Sequence, residues 1–405
     1  MSIQKILNDI KDNAGIYLII LAIIVISDDC YWFSTAANKM LISVKYGFFV
    51  VFPLFIYMKF GQHKIKIASI LTMTLLFSMS AFCGGASLIG GPITLFFLLL
   101  SSSIFVSAIS LDTFSRAFIK VNHIIMIYSL LVWILVMLGF VPITEVENIA
   151  GATVKTAYLC TFFSDYFGMI LRNGSIFREP GVFMVFINIA FLIDIVYLKN
   201  RLNIKKLVLY VGCMFTTLST AGLIILLCAY TYYIYIHKTN IKTMAIPVAF
   251  MGICLYFLMG SEELIGDIFA KLDRGMESGS VAGRITSLTI PAMIIVHNPI
   301  LGVGAEMFRN EYIKYGKEMY HMYIDPQGLS TNTILNAGAV YGLWFAVFIV
   351  INFYLFSNIL VRGKKNHCLY IFLLFMMMFS NESMFYSLIV YILLFYGMNA
   401  RKNIK

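Results

Sequence analysis

Five of the nine arginines in this chain, Arg172, Arg178, Arg274, Arg284 and Arg309, lie in two stretches, 143–180 and 261–332. The same stretches hold 13 of the 20 acidic residues, so the polar chemistry is concentrated there. A guanidinium is a rigid fork of donors, suited to paired hydrogen bonds with phosphate oxygens. For any one Arg taken alone, the plain alternative is solvated loop charge. In Phe177-Arg178-Glu179-Pro180-Gly181, Pro180 and Gly181 mark the point where irregular chain becomes helix. Arg178 and Glu179 then stand above a helix N-terminus, an end that favours anions such as phosphate. The alternative is that the two pair with lipid headgroups and cap the helix. In the second stretch, Gly283-Arg284 precedes an apolar run, 285–296, that is too short to span a bilayer and contains Pro291. It reads as an interfacial or re-entrant helix. Gly302 and Gly304, just beyond it, predict a tight turn whose backbone approaches a neighbour closely. No strand precedes this Gly-x-Gly, so a dinucleotide site is excluded.

The rest of the chain must position these residues, and its composition says how. Of 405 residues, 60% are hydrophobic and 12% charged, and the mean hydropathy is +0.87. Ordinary globular domains carry about 25% charged residues. Soluble domains, disorder, a disulfide scaffold and nucleic-acid binding are thereby excluded, and a chain that crosses a bilayer many times remains. Apolar runs predict twelve spans near 14–27, 40–58, 67–84, 92–110, 124–142, 181–198, 207–219, 221–236, 244–260, 333–359, 367–380 and 384–400. With a cytoplasmic N-terminus, 19 of the 30 basic residues fall in inside segments, so most of the +10 net charge is topological. Both termini are then cytoplasmic, and the two long stretches lie outside. The first span reads as a retained signal-anchor. The fold class expected is an all-α polytopic membrane protein. Helices 1–5 occupy 1–142, a first large loop 143–180, helices 6–9 residues 181–260, a second large loop 261–332, and helices 10–12 residues 333–405. Seven cysteines without paired spacing read as apolar packing residues rather than a metal site.

Four pieces, in order, form an extended pattern. They are Phe177-Arg178-Glu179-Pro180-Gly181-Val182-Phe183; then Leu218-Ser219-Thr220-Ala221-Gly222-Leu223. Gly283-Arg284 follows, with Pro299 and Gly302-Val303-Gly304 beyond it, and last Asn332-Thr333-Ile334-Leu335-Asn336 with Gly338 and Gly342-Leu343-Trp344. On this pattern the chain resembles the O-antigen polymerase and O-antigen ligase superfamily over most of its length. The resemblance implies a GT-C-like, lipid-carrier-dependent glycosyltransferase of the bacterial inner membrane, working at the periplasmic face without metal or cofactor. Its donor and acceptor would be undecaprenyl-pyrophosphate-linked oligosaccharides, with a chain-length regulator protein as a further partner.

Within that reading, Arg284 first and Arg178 second are expected on the pyrophosphate, with Arg172 in reserve. Glu179 and His321 are the base candidates for the acceptor hydroxyl. Gly302, Gly304, Ser219 and Asn332 are expected to line the substrate site, although Ser219 also suits an interhelical contact. The family's ligases carry a His-Asn pair where this chain reads Ser330-Thr331-Asn332, which favours the polymerase. A transporter or flippase is the competing class. It would require buried mid-span charge, for which Lys45 is the clearest instance.

Overall fold

The computed structural model describes residues 3–34, 39–60, 67–83, 91–147, 153–164, 171–237, 279–326 and 330–399. The predicted span 244–260 and Arg274 lie outside them. The described chain is mostly helical, and six of its helical segments are long and apolar enough to cross a bilayer: Ser43–Phe60, Gly91–Ala108, Leu111–Met137, Pro180–Tyr197, Thr220–His237 and Leu343–Leu360. This is a membrane protein. Its described helices are α1 (Ile3–Val25), α2 (Lys39–Phe60), α3 (Ile67–Cys83), α4 (Gly91–Ala108), α5 (Leu111–Met137), α6 (Pro180–Leu192), α7 (Ile204–Thr216) and α8 (Thr220–His237). They continue as α9 (Gly279–His297), α10 (Gly304–Tyr320), α11 (Thr333–Tyr341), α12 (Leu343–Leu360), α13 (Lys365–Asn381) and α14 (Leu388–Asn399).

Three features depart from the expected pattern. The first long connection adds a four-stranded antiparallel meander: β1 (Thr144–Glu147), β2 (Thr153–Ala157), β3 (Cys160–Ser164) and β4 (Leu171–Ser175). Phe162, Cys160 and Ala157 of the sheet bury against Val132 and Val136 of α5, and Trp133 donates its indole N–H to the Leu171 carbonyl at 2.7 Å. The predicted tenth span, 333–359, is two helices, because Gly342 at φ +98° ends α11 and starts α12 in a conformation closed to other residues. The helix expected from 285 begins earlier, at Gly279, and carries Pro291 inside it.

Contacts divide the chain into two compact units. The first comprises Met1–Ile65, Leu100–Gly222 and Ser387–Tyr396, the second Lys66–Leu99, Leu223–Tyr386 and Gly397–Lys405. In the first unit, α6 is apolar on every side, and all its residues are buried, as such a helix must be. Pro180 occupies its first turn, where a missing N–H costs nothing. Phe177 stacks on Phe183 and Phe186, with centroids 5.6 and 4.4 Å apart, and so fixes the angle at which the chain enters the helix. Beyond α6, a π-helical turn, Ile193–Tyr197, carries the fully buried Asp194. Lys206 donates to both its carboxylate oxygens at 2.8 and 3.2 Å, and Asn200 to one at 2.6 Å. Asp194→Ala strips these donors of their acceptor. Because the Lys206 side chain is 29% exposed and can regain water, the expected loss is about 2–3 kcal/mol. A lowered Tm of the detergent-purified variant checks it.

In the second unit, α9, α10 and α11 share a core of Ile290, Ile294, Ile295, Tyr312, Ile324 and Ala339. Gly302 lies in the turn between α9 and α10 at φ +66°. A Cβ there would sit 2.5 Å from the Val340 carbonyl oxygen, so the close neighbour expected at this turn is the chain's own α11.

Candidate functional site

The first unit holds Arg172, Arg178, Glu179 and Ser219. Arg178 sits where the sheet ends and α6 begins. Its backbone N–H donates to the Asp29 carbonyl at 2.9 Å, the Tyr31 N–H donates to Ile176 at 3.0 Å, and Cys30 and Phe177 form an antiparallel bridge. The turn after α1 is thus stitched to the segment carrying Arg178. Thr161 of β3 donates to the Phe177 carbonyl at 2.7 Å, and Trp32 to that of Leu159 at 3.0 Å. Glu179 occupies the N-cap position of α6, yet no side-chain hydrogen bond caps the helix. A carboxylate that is not bonded to the helix end is available for other chemistry. Arg172, on β4, donates to the Thr217 carbonyl at 3.2 Å, which places its charge at the C-terminal end of α7, where the helix dipole favours a cation. Asn173 beside it donates to Thr216 and accepts from Ser129. Ser219 accepts from the Gly222 N–H at 3.2 Å and so caps the first turn of α8.

Asp28, Asp29 and Ser387, which carried no weight in the sequence, belong to the network around the turn bonded to Arg178. Asp29 is 1% exposed and accepts a hydrogen bond from Ser387, itself buried. Burial pushes the Asp29 carboxyl up to about 6, against the Ser387 hydrogen bond and the Arg178 charge, which pull it down. Asp28 pairs at 2.9 Å with Lys45 near the start of α2. The charge on Lys45 therefore has a carboxylate partner in the turn after α1. An acidic pair closing an apolar span (Ser27-Asp28-Asp29) was the signal available for these residues.

The second unit holds Arg284 on α9, with His321 and Asn332 next to residues that bond to the same helix. Arg284 is an exposed side chain on that helix. Thr289, farther along it, bonds the Tyr320 hydroxyl at 2.6 Å and so brings in the end of α10, where His321 is the C-cap at φ +55°. Ser287 accepts from Thr331 at 3.2 Å and so brings in the segment before α11. There Asn332 is the N-cap, accepting from the Leu335 N–H at 2.8 Å. Ser330 donates to Asn336 at 2.7 Å, and Asn336 donates to Ser383 at 3.2 Å, so this corner is polar and ordered. Gly302 and Gly304 lie at the opposite end of the α9–α10 hairpin, while Arg309 is committed to an ion pair with Asp325. A second feature, a cleft of about 410 Å³, lies at that opposite end among His297, Asn298, Met307, Glu311 and Tyr315.

Each unit therefore offers an Arg and a candidate base: Arg178 next to Glu179 in the chain in the first, Arg284 and His321 in the second. Chemically, an Arg can stabilise an oxyanion or phosphate that develops as a bond breaks, and a nearby base can take a proton from an attacking hydroxyl.

Residues 206–351 match the family described as O-antigen ligase. That stretch contains Ser219, Arg284, Gly302, Gly304, His321 and Asn332, and stops short of Arg172, Arg178 and Glu179 on the N-terminal side. No curated protein matches the chain.

Proposed function

Starting from a chain that residues 206–351 place in the O-antigen polymerase and ligase superfamily, we propose that it is the polymerase. In this reading it joins undecaprenyl-pyrophosphate-linked repeat units at the periplasmic face of the bacterial inner membrane. The acceptor sugar hydroxyl attacks the donor anomeric carbon from the side opposite the leaving group. The glycosidic bond forms as the bond to undecaprenyl pyrophosphate breaks, and the configuration inverts. Arg284, or in its place Arg178, stabilises the charge gathering on the departing diphosphate, an interaction strongest in the transition state. His321 or Glu179 takes the hydroxyl proton.

What supports the reading is that Tyr320 and Thr331, the neighbours of His321 and Asn332, bond to the helix that carries Arg284, within the segment that matches the family. Polymerase is preferred over ligase because the position before α11 holds Thr331-Asn332, with Asn332 occupied as a helix cap, in place of a His-Asn pair. The ligase remains the second reading, since the matched family is described as O-antigen ligase. Deleting the gene separates the two. A polymerase deletion leaves one repeat on the lipid A core, which is the expected result, whereas a ligase deletion leaves the core bare. Labelled lipid-linked sugar crossing vesicles without any chain growth would instead support a flippase.

A further inference from the structure

Asp29 is the feature of the first unit that the proposed chemistry does not use. A carboxylate at 1% exposure is costly to keep ionised, and its raised titration near 6 shows that burial outweighs its favourable partners. Its position is nevertheless fixed from several directions. Its N–H donates to Ser27 at 3.2 Å, its carbonyl accepts from the Arg178 N–H, and its carboxylate accepts from Ser387. The charged groups facing it are Arg178 at the head of α6, Asp28 in its own turn and Lys45 of α2. Lys45 is paired with Asp28, while the backbone bond from the Arg178 N–H to the Asp29 carbonyl at 2.9 Å sets Arg178 and Asp29 side by side.

We propose that Asp29 is a positioning residue for Arg178, its buried carboxylate holding the guanidinium above α6 toward the diphosphate of a lipid-linked sugar. This rests on the assignment of Arg178 to that diphosphate. The group is kept at a cost in stability. A carboxyl whose pKa is raised on folding contributes stability below its unfolded pKa and loses that contribution as pH rises through about 6. At neutral pH its ionisation therefore opposes folding, and Asp29→Asn, which keeps the acceptor for Ser387, removes the buried charge.

The experiment measures chain growth by the purified full-length protein on a radiolabelled undecaprenyl-pyrophosphate-linked repeat, with Tm measured alongside. Asp29→Asn is expected to lower kcat at least tenfold with Tm unchanged or raised, a combination that a merely structural role would not give. Wild-type activity is expected to fall as pH drops through about 6, and this acid limb should vanish in Asp29→Asn. Glu179 and Asp28 are neighbouring carboxyls, so loss of the limb in this one variant is what assigns it. In an Arg178→Ala background, Asp29→Asn should add no further loss, because the two act as one unit. Equal fractional losses in both backgrounds, or wild-type kcat in Asp29→Asn, would overturn the proposal. If Arg178→Ala alone keeps full activity, the assignment of Arg178 to the diphosphate fails, and the role of Asp29 with it. If Asp29→Asn does not fold, Ser387→Ala decides. Losing that hydrogen bond should move the acid limb to higher pH, and an unmoved limb would overturn the proposal.

Discussion

Arg284→Ala should lower the rate of chain growth by about 10²–10³-fold while the protein still inserts and accumulates, the loss typical of removing one preorganised donor to a developing charge. The side chain is exposed on α9, so truncation opens no cavity and leaves no buried group unpaired. Its backbone carbonyl, which accepts from Ser287 at 2.9 Å, is untouched. The loss should appear in kcat more than in KM, because the diphosphate carries more charge as it departs than when bound. In cells, the variant should show surface glycan limited to single repeats in place of a ladder. Lysine at 284 would restore only part of the rate, since an ammonium lacks the planar fork.

Gly342→Ala should be the most damaging single methyl in the second unit. At φ +98° and ψ 161° the backbone is in a region open essentially to glycine alone. An added Cβ would lie 2.1 Å from the Ile300 carbonyl oxygen, a contact with backbone rather than with a side chain that could swing away. The Leu343 N–H donates to Pro299 at 2.8 Å, so the junction between α11 and α12 is pinned to the turn after α9 and cannot retreat. A loss above about 4 kcal/mol is expected, which puts the variant among the rare severe substitutions. Fluorescence-detected size exclusion of a tagged variant should show little monodisperse protein, and a wild-type peak would contradict the close packing.

What the sequence made legible followed from physics that acts locally. Apolar runs mark spans because a bilayer leaves a helix few alternatives, and Pro180 marks the start of α6 because its missing N–H suits that position. The sheet between α5 and α6 escaped such reading because its strands are four or five residues long, and alternation as short as Thr144-Glu145-Val146-Glu147 is weak beside the apolar runs around it. The break at Gly342 lay hidden inside a continuous apolar run, where hydropathy cannot register a backbone dihedral. Arg172 and Ser219 illustrate a different limit. Their residue types suit a substrate site, but their donors and acceptors serve the ends of α7 and α8, and only tertiary geometry reveals that use. Asp29 was passed over for the opposite reason, since an acid at the end of a span reads as solvated until the distant Ser387 is seen to bond its buried carboxylate.

One measurement addresses the proposed reaction itself. Purified protein in lipid nanodiscs would be given a single lipid-linked repeat, radiolabelled in the sugar, with lipid A core supplied in a parallel sample. Polymerisation predicts lipid-linked products growing by whole repeats, with one undecaprenyl pyrophosphate released per linkage formed, whether or not core is present. A single repeat that stays unextended alone and moves onto the core when core is supplied would contradict it.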